Sequence, residues 1–198
     1  MKEILIATSN PHKVEEFKTM LEPRGILVKS LLDLDEKIDI EENGTTFEEN
    51  ALIKARTICS ALKMPVISDD SGLVIDAMGG APGVHSARFL GHDTDYKTKN
   101  TIILSRMEDV KGEDRSARFV CAIGLVYPDG REMTFTGTFE GYIHDCIEGP
   151  NGFGYDPIFY YPPFKTTSAN VSEEMKNSVS HRGNALKKLM EYLDHEGE

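Results

Sequence analysis

No apolar run in this 198-residue chain approaches the roughly 18 residues that cross a bilayer, which excludes a membrane-spanning helix. Met1-Lys2-Glu3 leads straight into an apolar strand, without the pattern of a secretory signal. Cysteine is scarce. Cys59, Cys121 and Cys146 are odd in number and lack metal-ligand spacing, which argues against a disulfide framework and a zinc site. Two lie in apolar runs as small hydrophobes, a usage that suits a reducing cytoplasm. Positive charge is also short: 22 Lys and Arg stand against 33 Asp and Glu, a net charge of −11. Such a surface repels a long phosphate backbone, so a nucleic-acid polymer is excluded as a partner. A small phosphate ligand stays open, because a local basic pocket or a metal ion overrides net charge. Several signatures are missing as well. There is no Walker-type phosphate loop, no glycine fingerprint for a dinucleotide after the first strand, no Asp-x-Asp there, and no Ser-His-Asp hydrolase elbow. Repeats, linkers and low-complexity segments are absent, and residues 1–198 suffice for a single domain with a sizeable core or for two small lobes.

What is present centres on Ser68-Asp69-Asp70-Ser71-Gly72-Leu73. Pro65-Val66-Ile67 before it and Leu73 to Met78 after it read as two buried strands, with the acids at the turn between them. In an open α/β sheet, ligands bind at such strand ends. Neighbouring strand residues point to opposite faces, so one of Asp69 and Asp70 enters a site and the other holds the turn. A plain Asx-type turn is the alternative.

Basic residues at helix starts point the same way. Ile4 to Ala7 reads as the first strand, followed by Thr8-Ser9-Asn10-Pro11-His12-Lys13. Asn10 suits an N-cap and Pro11 the first helical position. A helix start is an anion site, and Lys13 in that first turn opposes the helix dipole. Ser180-His181-Arg182-Gly183 repeats the pattern: Ser180 caps, and His181 and Arg182 sit in the unfavourable first turn, shortly after Lys176. Residues 33–44 form an acidic loop, either solvated or lending one carboxylate to a metal. Two overlapping capping boxes at Thr45 and Thr46 start a helix with Phe47, Ala51, Ala55, Ile58 and Leu62 on one face. Lys54 borders that face, placed to snorkel toward a cleft or to stay at the surface. Gly79 to Val84 reads as a flexible connection, and a helix spans about Asp93 to Met107, capped by Asp93 or Thr94. Arg118 to Tyr127 and Met133 to Thr136 form an antiparallel hairpin, which makes the sheet mixed. The loop Gly149 to Pro157 holds three glycines and two aromatics, either as a structural loop or as a stacking surface for a planar ring.

Carboxylates at a strand end, basic residues at helix starts and a glycine-rich aromatic loop together suit a metal-bound polyphosphate carrying a flat ring. Mg²⁺ takes one or two protein carboxylates and completes its shell with phosphate oxygens and water.

The chain resembles the inosine/xanthosine triphosphate pyrophosphatase family, enzymes that remove non-canonical purine nucleoside triphosphates. The resemblance covers nearly the whole chain and rests on seven segments in order: Ala7 to Lys13, Asn50 to Ala55, Ser68 to Leu73, Gly79 to Gly83, Ser86 to Phe89, Gly152 to Pro157 and Ser180 to Gly183. It implies an α/β fold with a long curved mixed sheet flanked by helices, two lobes around a central cleft, and a homodimer. The implied reaction converts ITP, dITP or XTP and water to the monophosphate and pyrophosphate. Carried over by position, Thr8, Ser9, Asn10, Pro11, His12 and Lys13 cradle the phosphates, joined by Lys54. Asp70 is the metal-linked acid and general base, and Ser71 contacts substrate. Glu41 is the second Mg²⁺ ligand, with Glu42 adjacent. Phe153 stacks on the base, Gly154, Tyr155 and Asp156 complete its pocket, and Lys176, His181 and Arg182 bind the ligand from a third side. A buried donor aimed at the 6-oxo group of hypoxanthine or xanthine leaves adenine with an unpaired clash.

Overall fold

A computed structural model describes residues 2–34, 38–151 and 153–196, with His12 described by its backbone alone. Seven strands form one mixed sheet in the order β2-β1-β3-β4-β5-β6-β7. They are β1 (Glu3–Ile6), β2 (Leu27–Ser30), β3 (Val66–Ile75), β4 (Ser116–Val126), β5 (Glu132–Ile143), β6 (Phe159–Tyr161) and β7 (Thr166–Thr167). β1 pairs in parallel with β2 and β3, while β5–β6 and β6–β7 are antiparallel. Five helices flank the strands in sequence: α1 (Pro11–Leu21), α2 (Phe47–Leu62), α3 (Tyr96–Arg106), α4 (Glu173–Asn177) and α5 (His181–Glu196).

The chain divides into two compact units, one of residues 1–70 and 122–136, the other of residues 71–121 and 137–198. The first has a core of Leu5, Ala7, Ala55, Ile58, Cys59, Val66 and Val126. Its β1 is apolar on both faces, as a parallel strand covered by helices must be. α2 lies close against the sheet: a Cβ on Gly124 of β4 would come 3.0 Å from the Ala51 backbone. Ser68 of β3 donates its hydroxyl to the Ala51 carbonyl. The second unit packs Leu73, Ile75, Ile103, Phe119, Phe139, Tyr155 and Phe159 together, with Phe119 and Phe159 rings 4.6 Å apart. There α5 buries Ala185, Leu186, Leu189, Met190 and Leu193, the face its periodicity predicts.

Four local expectations are corrected. The turn expected within residues 68–73 does not exist: β3 runs unbroken through Val66–Ile75 and passes into a 3-10 turn at Asp76–Met78. The polar run stays extended because Ser68, Asp69 and Asp70 find partners on both faces of the strand. The third helix starts later, at Tyr96, because Asp95 and not Asp93 or Thr94 caps it, accepting from the Thr98 amide. Of the two capping boxes, Thr46 with Glu49 forms, and Glu48 instead accepts from the Thr136 hydroxyl at 2.7 Å. The Gly79–Gly83 connection is an ordered turn, with Gly79 at φ 63° and an isolated bridge between Val74 and Pro82.

Candidate active site

The first unit gathers charge around β3. β1 ends at Ile6, and Thr8-Ser9-Asn10 carries the chain to α1, whose first residue is Pro11. The Asn10 carbonyl accepts from Val14, as an N-cap does, and the Thr8 hydroxyl oxygen accepts from the Asn10 amide at 3.2 Å. Lys13, in the first helical turn, reaches Asp69 with Nζ–Oδ2 at 2.7 Å. The Asp69 side chain is only 3% exposed, so the pair is largely withdrawn from water. This ion pair accounts for a lysine against the helix dipole: an adjacent carboxylate outweighs a penalty of a few tenths of a kcal/mol. Asp69 therefore holds Lys13 and not a turn.

Asp70 points to the other face. Its side chain is 14% exposed. The Asn50 amide donates to Oδ2 at 3.3 Å, and Lys54 Nζ lies 3.7 Å from Oδ1. Lys54 also sits 3.2 Å from the Glu42 carboxylate. Burial pushes the Asp70 carboxyl above the ordinary carboxylate range; Lys54 pulls it back, the Glu42 charge raises it, and the Asn50 hydrogen bond lowers it. Asn50 is fully buried on α2, and its Oδ1 accepts from the Gly44 amide at 2.8 Å. One amide thus joins the end of the acidic loop to Asp70. Gly44 has no room for a side chain, since a Cβ there would lie 2.7 Å from Asn50 Oδ1. Glu42 faces Lys54, whereas Glu41 is exposed. Residues 35–37 of the acidic loop lie outside the described residues.

The second unit gathers rings and donors. Ser71 follows Asp70 on β3, and its Oγ is shut off from solvent with no hydrogen-bond partner among the described residues. Phe153 is 78% exposed, an unusual position for a phenyl ring. Asp156 is buried and fully engaged: Oδ2 accepts from the Phe153 amide at 2.7 Å and from Lys176 Nζ at 2.5 Å, and Oδ1 accepts from Ser168 at 2.9 Å. Tyr155 is buried, and its hydroxyl donates to the Ser86 carbonyl at 2.6 Å. Burial raises its pKa well above the ordinary phenol range. Ser180 caps α5 by accepting from the Gly183 amide at 3.1 Å. The His181 ring stacks on Phe119 at 5.1 Å and 19°, and Arg182 follows in the same first turn.

A family model described as the Ham1 family matches residues 4–192. The chain belongs to the Ham1 family. The dITP/XTP pyrophosphatase of Bacillus licheniformis is 51% identical over 194 residues, covering 98% of this chain and 99% of that one. Its counterpart of the same name in Bacillus subtilis is 47% identical, covering 98% of each. Among solved structures, the Staphylococcus aureus Ham1 protein superposes with a TM-score of 0.93 at 41% identity, over 98% of this chain and 100% of that one.

Within this Ham1 chain, the structure brings Lys54 to Asp70 and Lys13 to its neighbour Asp69 in the first unit, and gathers Phe153, Gly154, Tyr155, Asp156 and Lys176 in the second. Thr8, Ser9, Asn10 and Pro11 form the β1–α1 turn as expected, while the His12 side chain and Gly152 lie outside the described residues. Asp156 and Tyr155 organise their loop; Lys176, anchored by Asp156, remains the donor with hydrogens to spare. Sequence reasoning passed over Asp69 as a lysine partner, named Asn50 only within a segment of the resemblance and gave it no role, and did not single out Tyr96. Asn50 had a signal, because an amide on the apolar face of α2 beside Phe47 and Ala51 needs a buried partner. Tyr96 had none, since its contacts come from a loop more than fifty residues away.

Proposed function

We propose that this Ham1 protein hydrolyses non-canonical purine nucleoside triphosphates (ITP, dITP and XTP) to the monophosphate and pyrophosphate. The observation that carries this reading is Asp70, a half-buried carboxylate on β3 with a lysine beside it and a second lysine held by its strand neighbour. That arrangement stands in a chain about half identical to proteins named dITP/XTP pyrophosphatase. Lys13, Lys54 and the amides of the β1–α1 turn bind phosphate oxygens. A pyrophosphate leaving group asks mainly for positioning and charge stabilisation. Asp70 orients the attacking water or takes its proton, and burial keeps its carboxyl basic enough to do so.

The donors here are carboxylate oxygens, which fit a hard divalent cation such as Mg²⁺. Asp70 would hold it together with a glutamate of the 41–42 pair, and the backbone tie at Gly44 limits how far that pair can move. When bound, the ion would neutralise charge on the phosphates.

On the base side, the exposed Phe153 ring offers a stacking face, and Lys176 offers the donor that a 6-oxo purine accepts and adenine does not. Ser71 Oγ, His181 and Arg182 supply further polar contacts to the ligand. Homodimeric assembly and residence in a reducing cytoplasm complete the proposal; three cysteines held as thiols suit the latter.

The test is pyrophosphate release with Mg²⁺ from ITP, XTP, dITP, GTP and ATP side by side. Fast release from the first three and little from ATP is expected. Equal release from all five would overturn the base assignment, and nucleotide binding without release would overturn the catalytic one.

A further inference from the structure

Phe153 leaves more of its surface in water than any other large hydrophobic side chain among the described residues. Its ring is nonetheless held from one side. Tyr96, the first residue of α3, packs against it with ring centroids 5.4 Å apart and planes at 59°. The same Tyr96 ring meets Tyr155 edge-on, at 5.2 Å and 88°. Lys99, buried one turn along, places its ammonium 4.8 Å from the Tyr96 ring centre and donates to the Ala87 carbonyl at 2.6 Å. A turn after Tyr96, the Asn100 amide donates to the Gly154 carbonyl at 3.1 Å. Gly154 itself has φ +66°, and a Cβ there would lie 3.3 Å from the Tyr96 ring. The loop is thus pressed onto one ring and bonded to one amide, both from α3.

We infer that Tyr96 and Asn100 are positioning residues for base recognition: Tyr96 backs the Phe153 ring and Asn100 locks Gly154, so that the stacking face exists before substrate arrives. The inference rests on the reading above that Phe153 stacks on the purine. A free phenylalanine on a glycine-rich loop would have to be ordered by each substrate, at the expense of affinity. Held by Tyr96, the ring is already in place. Neither residue belongs to the phosphate-binding unit, so their loss acts on base affinity and not on the hydrolytic step.

The experiment compares wild type, Tyr96→Phe, Tyr96→Ala and Asn100→Ser as full-length proteins. It measures kcat and KM for ITP, inhibition by inosine monophosphate, and inhibition by pyrophosphate, which has no base. Base–aromatic stacking typically contributes enough that Tyr96→Ala should raise the KM for ITP and the Ki for inosine monophosphate about tenfold, with kcat within about twofold of wild type. The Ki for pyrophosphate should not change. Tyr96→Phe keeps the ring and should behave as wild type, while Asn100→Ser should show the same pattern, more weakly. An unchanged KM in Tyr96→Ala, an equal loss of pyrophosphate affinity, or a Tyr96→Phe variant as weak as Tyr96→Ala would each overturn the inference. If Tyr96→Ala does not fold, Asn100→Ser carries the same comparison with the aromatic packing intact. A wild-type protein that releases no pyrophosphate from ITP overturns the function itself; turnover with an unmoved KM in the variants overturns only the roles of Tyr96 and Asn100.

Discussion

Asp70 is kept half out of water by the same residues that keep it usable. Burial raises its pKa, so the ionised form is disfavoured in the fold relative to the unfolded chain. The sign follows: the group's contribution to stability is favourable below the unfolded carboxylate value and is lost as pH rises through its higher folded value. Asp70→Asn removes that cost and the base together. It should lower kcat by at least about 10²-fold while raising the thermal midpoint of the metal-free protein at neutral pH, by about 2–4 °C per kcal/mol relieved. The gain should vanish in acid, where the wild-type carboxyl is neutral too. Calorimetry at two pH values alongside steady-state kinetics checks both halves, and an Asn variant with near-normal turnover excludes Asp70 as the base. Asn50 sits one bond away in the same network. Asn50→Ala strands the Gly44 amide and withdraws a donor from Asp70, so denaturant unfolding should show a loss of about 1–3 kcal/mol.

At the scale of elements, the candidate residues sit where they do because helices approach strands closely. Gly137 on β5 has no room for a methyl group: a Cβ there would lie 2.3 Å from the His181 carbonyl and 2.4 Å from the Ala185 amide. The first turn of α5 therefore rests on bare backbone, tied further by the Asn184 amide to the Thr138 carbonyl at 2.9 Å. Gly137→Ala must push that turn away. It should cost about 1–3 kcal/mol, as overpacking does, and should raise the KM for ITP through the displaced His181 and Arg182. α2 offers the contrasting case. Its N-cap Thr46 accepts from the Glu49 amide at 3.1 Å on an exposed turn. Thr46→Ala should lower stability by about 1 kcal/mol in the same assay and leave KM unchanged, because the cap hydroxyl bonds the Glu49 amide and not Gly44, Asp70 or Lys54.

At the scale of the whole molecule, the −11 charge and the individual carboxylates set the response to acid. The Ser116 hydroxyl and the Arg118 guanidinium hold the Asp76 carboxyl below the ordinary value of 3.8. The Ser30 backbone amide and hydroxyl do the same for Asp33. Each is stabilising above its unfolded value, and that stability is lost as pH falls through the lower folded value, the opposite sense to Asp70. The thermal midpoint should therefore fall below about pH 4, and Ser116→Ala should shallow that fall. A midpoint that keeps rising into acid would mean that Asp70 and like-charge repulsion dominate instead. The same net charge predicts no binding of single-stranded DNA at physiological salt, measurable by fluorescence anisotropy.

Much of this architecture was legible in the chain because local physics decides it. The apolar runs of β1 and β4, the Ser180 cap, the Pro11 start and the buried face of α5 depend on residues a few positions apart. So did the candidates on the β1–α1 turn and on β3, whose charges are awkward for purely local structure. Long-range partners were not legible. Ser68 to Leu73 reads as a turn by composition, yet stays a strand because Lys13, Asn50, Lys54 and Ala51 meet its polar groups from α1 and α2. Tyr96 reads as an ordinary helix start until the loop at residues 153–155 is folded against it. The sequence alone determined the apolar strands and the amphipathic helices, and which side chains carry charge against local preference. Only the tertiary structure decided which of two adjacent aspartates pairs with Lys13 and which meets Asn50 and Lys54, because opposite faces of one strand differ only in what packs against them.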